Sequence, residues 1–136
     1  MQAFAMLSDN PRSRIVGIDL HGVQSARKLL SDPSTATRAS STPCPEVFVA
    51  DVTKEDFGLD DADLHRLLPD ASFDIVNLGV AVSGEDSPAF ERAIGLVRIG
   101  GVLTAPVCDG PAEGGRCQAT FRKYERDEEG RAMLVD

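Results

Sequence analysis

The sequence predicts an α/β protein with a Rossmann-like, open and mostly parallel sheet that ends in an antiparallel hairpin. Short β-branched runs alternate with segments of helical periodicity along most of the chain, and strands separated by helices pair in parallel. After the last such run, a glycine-rich turn and an alternating segment follow, which is typical of an antiparallel hairpin. We expect a single domain over residues 1–136.

The first half of the chain predicts two buried strands and a helix. Residues 1–7 resemble the last turns of a helix, and the β-branched run 14–19 is typical of a buried parallel strand. Apolar residues at helical spacing predict a helix over 21–30. The Ser-, Thr- and Pro-rich residues 31–45 predict an exposed connection, and 46–50 predict a second buried strand.

The middle of the chain predicts two helices around a third strand. Residues 61–68 form a short amphipathic pattern, and residues 73–78 form an apolar run ending in Asn77 and Leu78. Ser87 and Pro88 suit the N-cap and first position of a helix. The predicted apolar face of that helix consists of Phe90, Ala93, Ile94 and Val97.

The C-terminal part predicts a strand followed by a hairpin. Gly100 and Gly101 predict a turn out of the helix, and residues 102–107 predict a fourth strand. Residues 116–126 alternate like an exposed strand, and residues 131–135 predict its antiparallel partner.

Charge and hydropathy limit the partners of the chain. The formal net charge is −8, which repels phosphate backbones and anionic lipids, so we expect neither nucleic acid nor membranes as partners. Arg122, Lys123 and Arg126 are interrupted by acids and predict a solvated strand face. No apolar run approaches the roughly 20 residues that span a bilayer, and no signal peptide is apparent, so we expect a cytoplasmic protein.

Cysteines and histidines give no metal signature. Cys44, Cys108 and Cys117 form no C-x-x-C pattern and leave one cysteine unpaired, which predicts free thiols in a reducing compartment. Cys108 and Cys117 can approach each other across a hairpin, so a single bridge stays open as an alternative. With only His21 and His65, we expect no metal site.

Polar or small residues follow three of the predicted strands. Asp19 and Asp51 end the first two, and Asn77 with Gly79 ends the third. Ligands of open α/β sheets bind beyond the carboxyl ends of the strands, where an acid can accept hydrogen bonds from ribose hydroxyls. A single aspartate at such a position is more often a cap. Two of them beside a small-residue loop favour a nucleoside-type cofactor.

Four segments together resemble one enzyme class. They are V-G-I-D-L (16–20), V-A-D (49–51), F-D-I-V-N-L-G-V-A (73–81) and L-V-R-I-G-G-V-L (96–103). They resemble successive strand ends of class I S-adenosylmethionine-dependent methyltransferases, with Ile99 at the family's usual proline. The A-P-V run (105–107), a glycine-rich loop, Gln118 and Y-E-R-D-E-E-G (124–130) are similar to the protein-L-isoaspartate O-methyltransferases.

This resemblance implies a cofactor and a reaction. Asp19, with Leu20, would bind the ribose of S-adenosyl-L-methionine, where the family more often has glutamate. Asp51 would stand near the adenine, Val52 would pack on the adenine face, and Asn77 to Gly79 would border the methionine moiety. The implied reaction transfers a methyl group to the isoaspartyl carboxylate of a peptide or protein, as in protein repair. The resemblance identifies no catalytic residue in this chain.

One departure from the family concerns the glycine-rich cofactor loop. No D/E-x-G-x-G-x-G stretch occurs, and Gly110, Gly114 and Gly115 lie in the predicted hairpin instead. We therefore expect an N-terminally truncated methyltransferase domain, without its first strand and loop, that alone does not transfer methyl groups. Two alternatives stay open: a catalytically inactive binding or interaction module, and a fragment of an NAD-dependent oxidoreductase, because an aspartate also suits an NAD ribose.

Overall fold

A computed structural model describes residues 14–31, 46–110, 114 and 117–135 of the chain. The predicted helix end at residues 1–7 and most of the predicted connection 31–45 lie outside these residues. The elements, in chain order, are β1 (Val16–Asp19), α1 (Val23–Ser31), β2 (Glu46–Val49), a 3-10 helix (Glu55–Gly58), α2 (Asp61–Leu67), β3 (Phe73–Asn77), α3 (Pro88–Leu96), β4 (Val97–Cys108), β5 (Ala119–Arg126) and β6 (Ala132–Val135).

The chain is an α/β protein that divides into two compact units, Met1–Asp51 and Val52–Asp136. The described strands form two sheets, one with the order β1-β2 and one with the order β3-β4-β5-β6. The predicted domain over residues 1–136 stays a prediction. None of the helices within the described ranges is long and apolar enough to cross a membrane.

The first unit is a parallel strand pair with one helix. β1 and β2 pair in register from Val16 opposite Glu46 to Asp19 opposite Val49. Val23 of α1 is buried, as are Phe48 and Ala50, and these apolar side chains favour burial of one face. Val49, however, is 56% exposed, so the prediction of a strand buried on both faces is wrong here.

The second unit contains a mixed sheet. β3 and β4 pair in parallel, whereas β4–β5 and β5–β6 are antiparallel. The C-terminal hairpin is therefore confirmed, but this sheet is mixed rather than mostly parallel. Ile75 of β3 is 53% exposed, so the third strand has one open face.

Helix α3 covers the other face of this sheet. Its start is the predicted one: Pro88 begins the helix, and the Ser87 hydroxyl accepts a hydrogen bond from the Phe90 backbone N–H at 3.4 Å. The Phe90 ring meets the Tyr124 ring edge to face, with centroids 4.9 Å apart, in a core that also includes Leu103. The buried residues of this core are Leu78, Val82, Phe90, Ala93, Ile94, Val97, Leu103, Ala105, Val107 and Tyr124.

The glycine pair forms an irregularity inside β4 instead of the predicted turn before it. The register shifts so that Phe73 lies opposite Val97 while Ile75 lies opposite Val102. Gly100 has a φ of +77°, a backbone conformation that glycine adopts at little cost. Val97, predicted on the helix face, is the first residue of β4 and fully buried.

The predicted solvated basic face is wrong for two of its three members. The Arg126 guanidinium is partly buried and donates hydrogen bonds from Nη1 to the Gly95 and Val97 carbonyls, at 3.2 and 2.7 Å. These bonds satisfy carbonyls at the C-terminal end of α3, which lack partners within the helix. Arg122 is half-buried and pairs with the Asp109 carboxylate, and only Lys123 is exposed.

Candidate functional site

The two predicted adenosine-binding acids lie at one edge of the β1–β2 pair. Asp19 is the last residue of β1, and Asp51 follows the end of β2 by two residues. The Ala50 backbone N–H donates to the Asp19 carbonyl at 3.2 Å, which continues the parallel pairing past the end of β2. The structure thus brings Asp19 and Asp51 to the carboxyl ends of neighbouring strands, where open sheets bind ligands.

The carboxylate of Asp19 is partly engaged by its own loop. Its Oδ1 accepts a hydrogen bond from the His21 backbone N–H at 3.2 Å, while the side chain is exposed. This is a turn-capping contact within the loop rather than a helix cap, because α1 begins only at Val23. Within the described residues Oδ2 has no hydrogen-bond partner, so one oxygen is open to a ligand. Leu20, next to Asp19, is 49% exposed.

The other predicted residues belong to the second unit. Asn77 ends β3, and its Oδ1 accepts a hydrogen bond from the Thr104 hydroxyl of β4 at 2.9 Å. Gly79 is exposed, and a Cβ added there would meet nothing within 4 Å. The fold therefore does not require glycine at this position, and the absence of a side chain leaves the backbone open to close approach by a ligand.

Val52 lies against the core of the second unit. It is partly buried beside the apolar cluster under α3. Its carbonyl accepts a hydrogen bond from Arg92 Nη1 at 3.0 Å, which ties this residue to α3. An adenine contact of Val52 stays a prediction.

A second polar group, missed by the sequence analysis, lies where β4 passes into β5. The Asp109 carboxylate accepts hydrogen bonds from the Thr120 hydroxyl and from Arg122 Nη2. Tyr124 and Glu85 are the electrostatic neighbours of Arg122. We call these five residues, Glu85, Asp109, Thr120, Arg122 and Tyr124, the Arg122 cluster. The alternation of β5, which turns residues 120, 122 and 124 to one face, is the signal that could have revealed it.

The Tyr124 hydroxyl is buried in this cluster without a hydrogen bond. The residue is 0% exposed, and no partner meets hydrogen-bond geometry around its oxygen within the described chain. Burial raises the pKa of Tyr124; the nearby Glu85 carboxylate raises it further, and the Arg122 guanidinium opposes the rise. The Arg122 pKa is itself raised, chiefly by its interaction with Tyr124.

We expect Tyr124→Phe to stabilise the protein by about 1 kcal/mol, because it removes a buried hydroxyl that has no partner. The measurement is the free energy of unfolding from urea titration. Thr104→Val is the matched control: it removes a hydroxyl that does bond, to Asn77, and should destabilise by up to about 1 kcal/mol. A loss of stability in Tyr124→Phe would mean that the hydroxyl is hydrogen-bonded in solution.

The cysteines of the hairpin are bridged. Cys108, the last residue of β4, forms a disulfide with Cys117, and their Cα atoms are 5.5 Å apart. The prediction of free thiols is therefore wrong for this pair, and the alternative of a bridge across the hairpin describes it. The hairpin brings the two residues within bridging distance, which their spacing alone does not reveal.

The described residues hold no group of three or more His, Cys, Asp or Glu side chains placed to bind a metal ion. The sequence matches none of the protein-family models with which it was compared, and no curated protein is significantly similar to it.

Proposed function

We propose that this chain is the cofactor-binding part of a class I S-adenosylmethionine-dependent methyltransferase of the protein-L-isoaspartate O-methyltransferase type, with a Rossmann-like fold. The observation that carries the proposal is the position of Asp19 and Asp51 at adjacent carboxyl ends of two parallel strands. The antiparallel hairpin after the last parallel strand supports the subfamily, because its sequence resembles the hairpin of that family.

In this proposal the two acids recognise the adenosine of the cofactor. The open Oδ2 of Asp19 accepts one ribose hydroxyl, and a rotation of the side chain away from His21 N–H frees Oδ1 for the other. Asp51 then stands near the adenine amine. Such bonds to a charged acceptor contribute about 1.5–3 kcal/mol, enough to govern affinity for a nucleoside.

The sequence resemblance, rather than any arrangement of the two units, assigns Asn77 and Gly79 to the methionine end of the cofactor. The Asn77 amide is oriented by Thr104, whose hydroxyl donates to Oδ1 and leaves the amide N–H groups as donors. Gly79 presents bare backbone at an exposed position. A carboxylate substrate is already anionic, so methyl transfer to it would depend on positioning and exclusion of water more than on a strong base.

The proposed substrate is an isoaspartyl-containing peptide or protein, and the proposed location is the cytoplasm. The chain contains no D/E-x-G-x-G-x-G stretch, so the proposal is tested by cofactor binding rather than by turnover. The experiment is isothermal titration calorimetry with S-adenosylhomocysteine, for which we expect saturable binding that depends on the Asp19 carboxylate. Binding of NAD instead would favour an oxidoreductase fragment, and binding of neither would favour an inactive module.

A further inference from the structure

The disulfide and the Arg122 cluster share one turn of the chain. Asp109 directly follows Cys108, and its backbone N–H donates to the Gln118 carbonyl at 2.9 Å, next to Cys117. The Asp109 carboxylate reaches across the hairpin to Thr120 and Arg122 of β5. The disulfide therefore closes the loop that contains Asp109, the residue that pairs with Arg122.

We propose that the Cys108–Cys117 disulfide is a redox switch. Its reduction releases the Asp109 carboxylate from Arg122 and so changes the charges around the buried Tyr124 hydroxyl. This inference is independent of methyltransferase function. It concerns a regulatory device in the second unit alone, and neither Asp19 nor the cofactor enters it.

We expect a local response to reduction, because the β4–β5 pairing holds the two strands together beside the bridge. Seven residue pairs, from Val102 opposite Glu125 to Cys108 opposite Ala119, join β4 and β5. Cys117 and Gln118 lie outside this ladder, before the first residue of β5. Without the bridge, the end of the hairpin loses its covalent restraint while the paired strands remain.

Two further groups lie near the Arg122 guanidinium when Asp109 releases it. Besides Asp109, the Arg122 guanidinium has the Glu85 carboxylate and the Tyr124 hydroxyl as electrostatic neighbours, although the Tyr124 oxygen forms no hydrogen bond within the described chain. Once the Asp109 carboxylate moves away, the Glu85 carboxylate and the Tyr124 hydroxyl compete for the positive charge of Arg122. Glu85 precedes the Ser87 cap of α3, so the same event would reach the segment that leads into that helix.

The chemistry is thiol–disulfide exchange with a dithiol as reductant. Cys117 is exposed and Cys108 is half-buried, so a thiolate of the dithiol attacks the Cys117 sulfur. A new sulfur–sulfur bond forms there, and Cys108 leaves as a thiolate that takes up a proton. The second thiolate of the reductant then displaces Cys117, which is protonated in turn. The dithiol ends as a cyclic disulfide, and the protein gains two electrons and two protons.

The test uses the one tyrosine of a chain that has no tryptophan. Absorbance near 295 nm, followed against pH, reports the ionisation of Tyr124 alone. The protein carries Cys44→Ser, so that no third thiol exchanges with the bridge. It is titrated oxidised and, separately, after reduction with dithiothreitol, alkylation of Cys108 and Cys117 with iodoacetamide and removal of both reagents, because free thiolates at alkaline pH would add negative charge beside Tyr124. We expect reduction to lower the Tyr124 pKa by about 0.5–1 unit, since a freed Arg122 stabilises the tyrosinate.

Asp109→Asn is the decisive control. The neutral amide no longer holds the guanidinium by charge, so reduction should shift the Tyr124 titration little or not at all in this variant. Circular dichroism checks that the strands persist, and alkylation with mass spectrometry checks that two thiols appear. Identical curves for oxidised and reduced protein, a full shift in Asp109→Asn, or reduction only upon unfolding would each overturn the proposal.

Discussion

Gly101→Ala is expected to destabilise the protein by about 3 kcal/mol, the upper end of the usual cost of overpacking. A Cβ at this position would lie 2.7 Å from Val97 Cγ1, 2.8 Å from the Asp74 carbonyl oxygen and 3.0 Å from the Arg98 carbonyl oxygen. Two of these atoms belong to the backbone of paired strands and cannot move aside as a flexible side chain could. The measurement is the free energy of unfolding from urea titration, followed by circular dichroism.

Gly79→Ala is the matched control for this effect. No heavy atom lies within 4 Å of a Cβ at Gly79, so the same substitution should leave stability within about 0.5 kcal/mol. The two variants together separate crowding at the β3–β4 irregularity from any general effect of replacing glycine. Equal stability of Gly101→Ala and the unchanged protein would contradict the register described for these strands.

Asp19→Ala is expected to weaken binding of S-adenosylhomocysteine by about 10- to 150-fold, which corresponds to the loss of about 1.5–3 kcal/mol of hydrogen bonding to a charged group. The physical reason is that the carboxylate would accept hydrogen bonds from the ribose hydroxyls. Asp19→Glu should be nearly silent, since the family that the sequence resembles more often has glutamate there. Affinities are measured by isothermal titration calorimetry.

Asp19→Asn distinguishes binding from local folding. Its amide oxygen can still accept the His21 N–H, so the turn after β1 is retained, but its amide nitrogen cannot accept a ribose hydroxyl. We therefore expect Asp19→Asn to bind weakly while melting at the temperature of the unchanged protein. Asp70→Ala, which removes another exposed acid, controls for net charge. Full affinity in both Asp19→Ala and Asp19→Asn would assign Asp19 to the turn alone.

Local patterns account for what the sequence predicted of the fold. The Ser87–Pro88 start of α3 depends on residues one to three positions apart, and the structure contains the predicted cap. The hairpin of β5 and β6 likewise follows from alternation around a short turn. The second strand is less buried than predicted, because the apolar run around Val49 does not reveal which faces of the strand are covered.

Long-range partners explain what the sequence did not reveal. Arg126 donates to carbonyls about thirty positions earlier in the chain, and Asp109 pairs with Arg122 across a turn, so neither contact follows from neighbours. For the candidate site, strand-end positions of Asp19, Asp51 and Asn77 could be predicted from the sequence, because a strand's end is a local signal. The hydrogen bond from the Thr104 hydroxyl to Asn77 could not be predicted, because it depends on the β3–β4 register.

The most direct test of the proposed function is a pair of calorimetric titrations of the 136-residue chain, one with S-adenosylhomocysteine and one with NAD. Both ligands carry an adenosine, but only the first carries the methionine moiety that Asn77 and Gly79 would border. The account predicts saturable binding of S-adenosylhomocysteine at least tenfold tighter than any binding of NAD. Tighter binding of NAD, or no binding of S-adenosylhomocysteine, would contradict it.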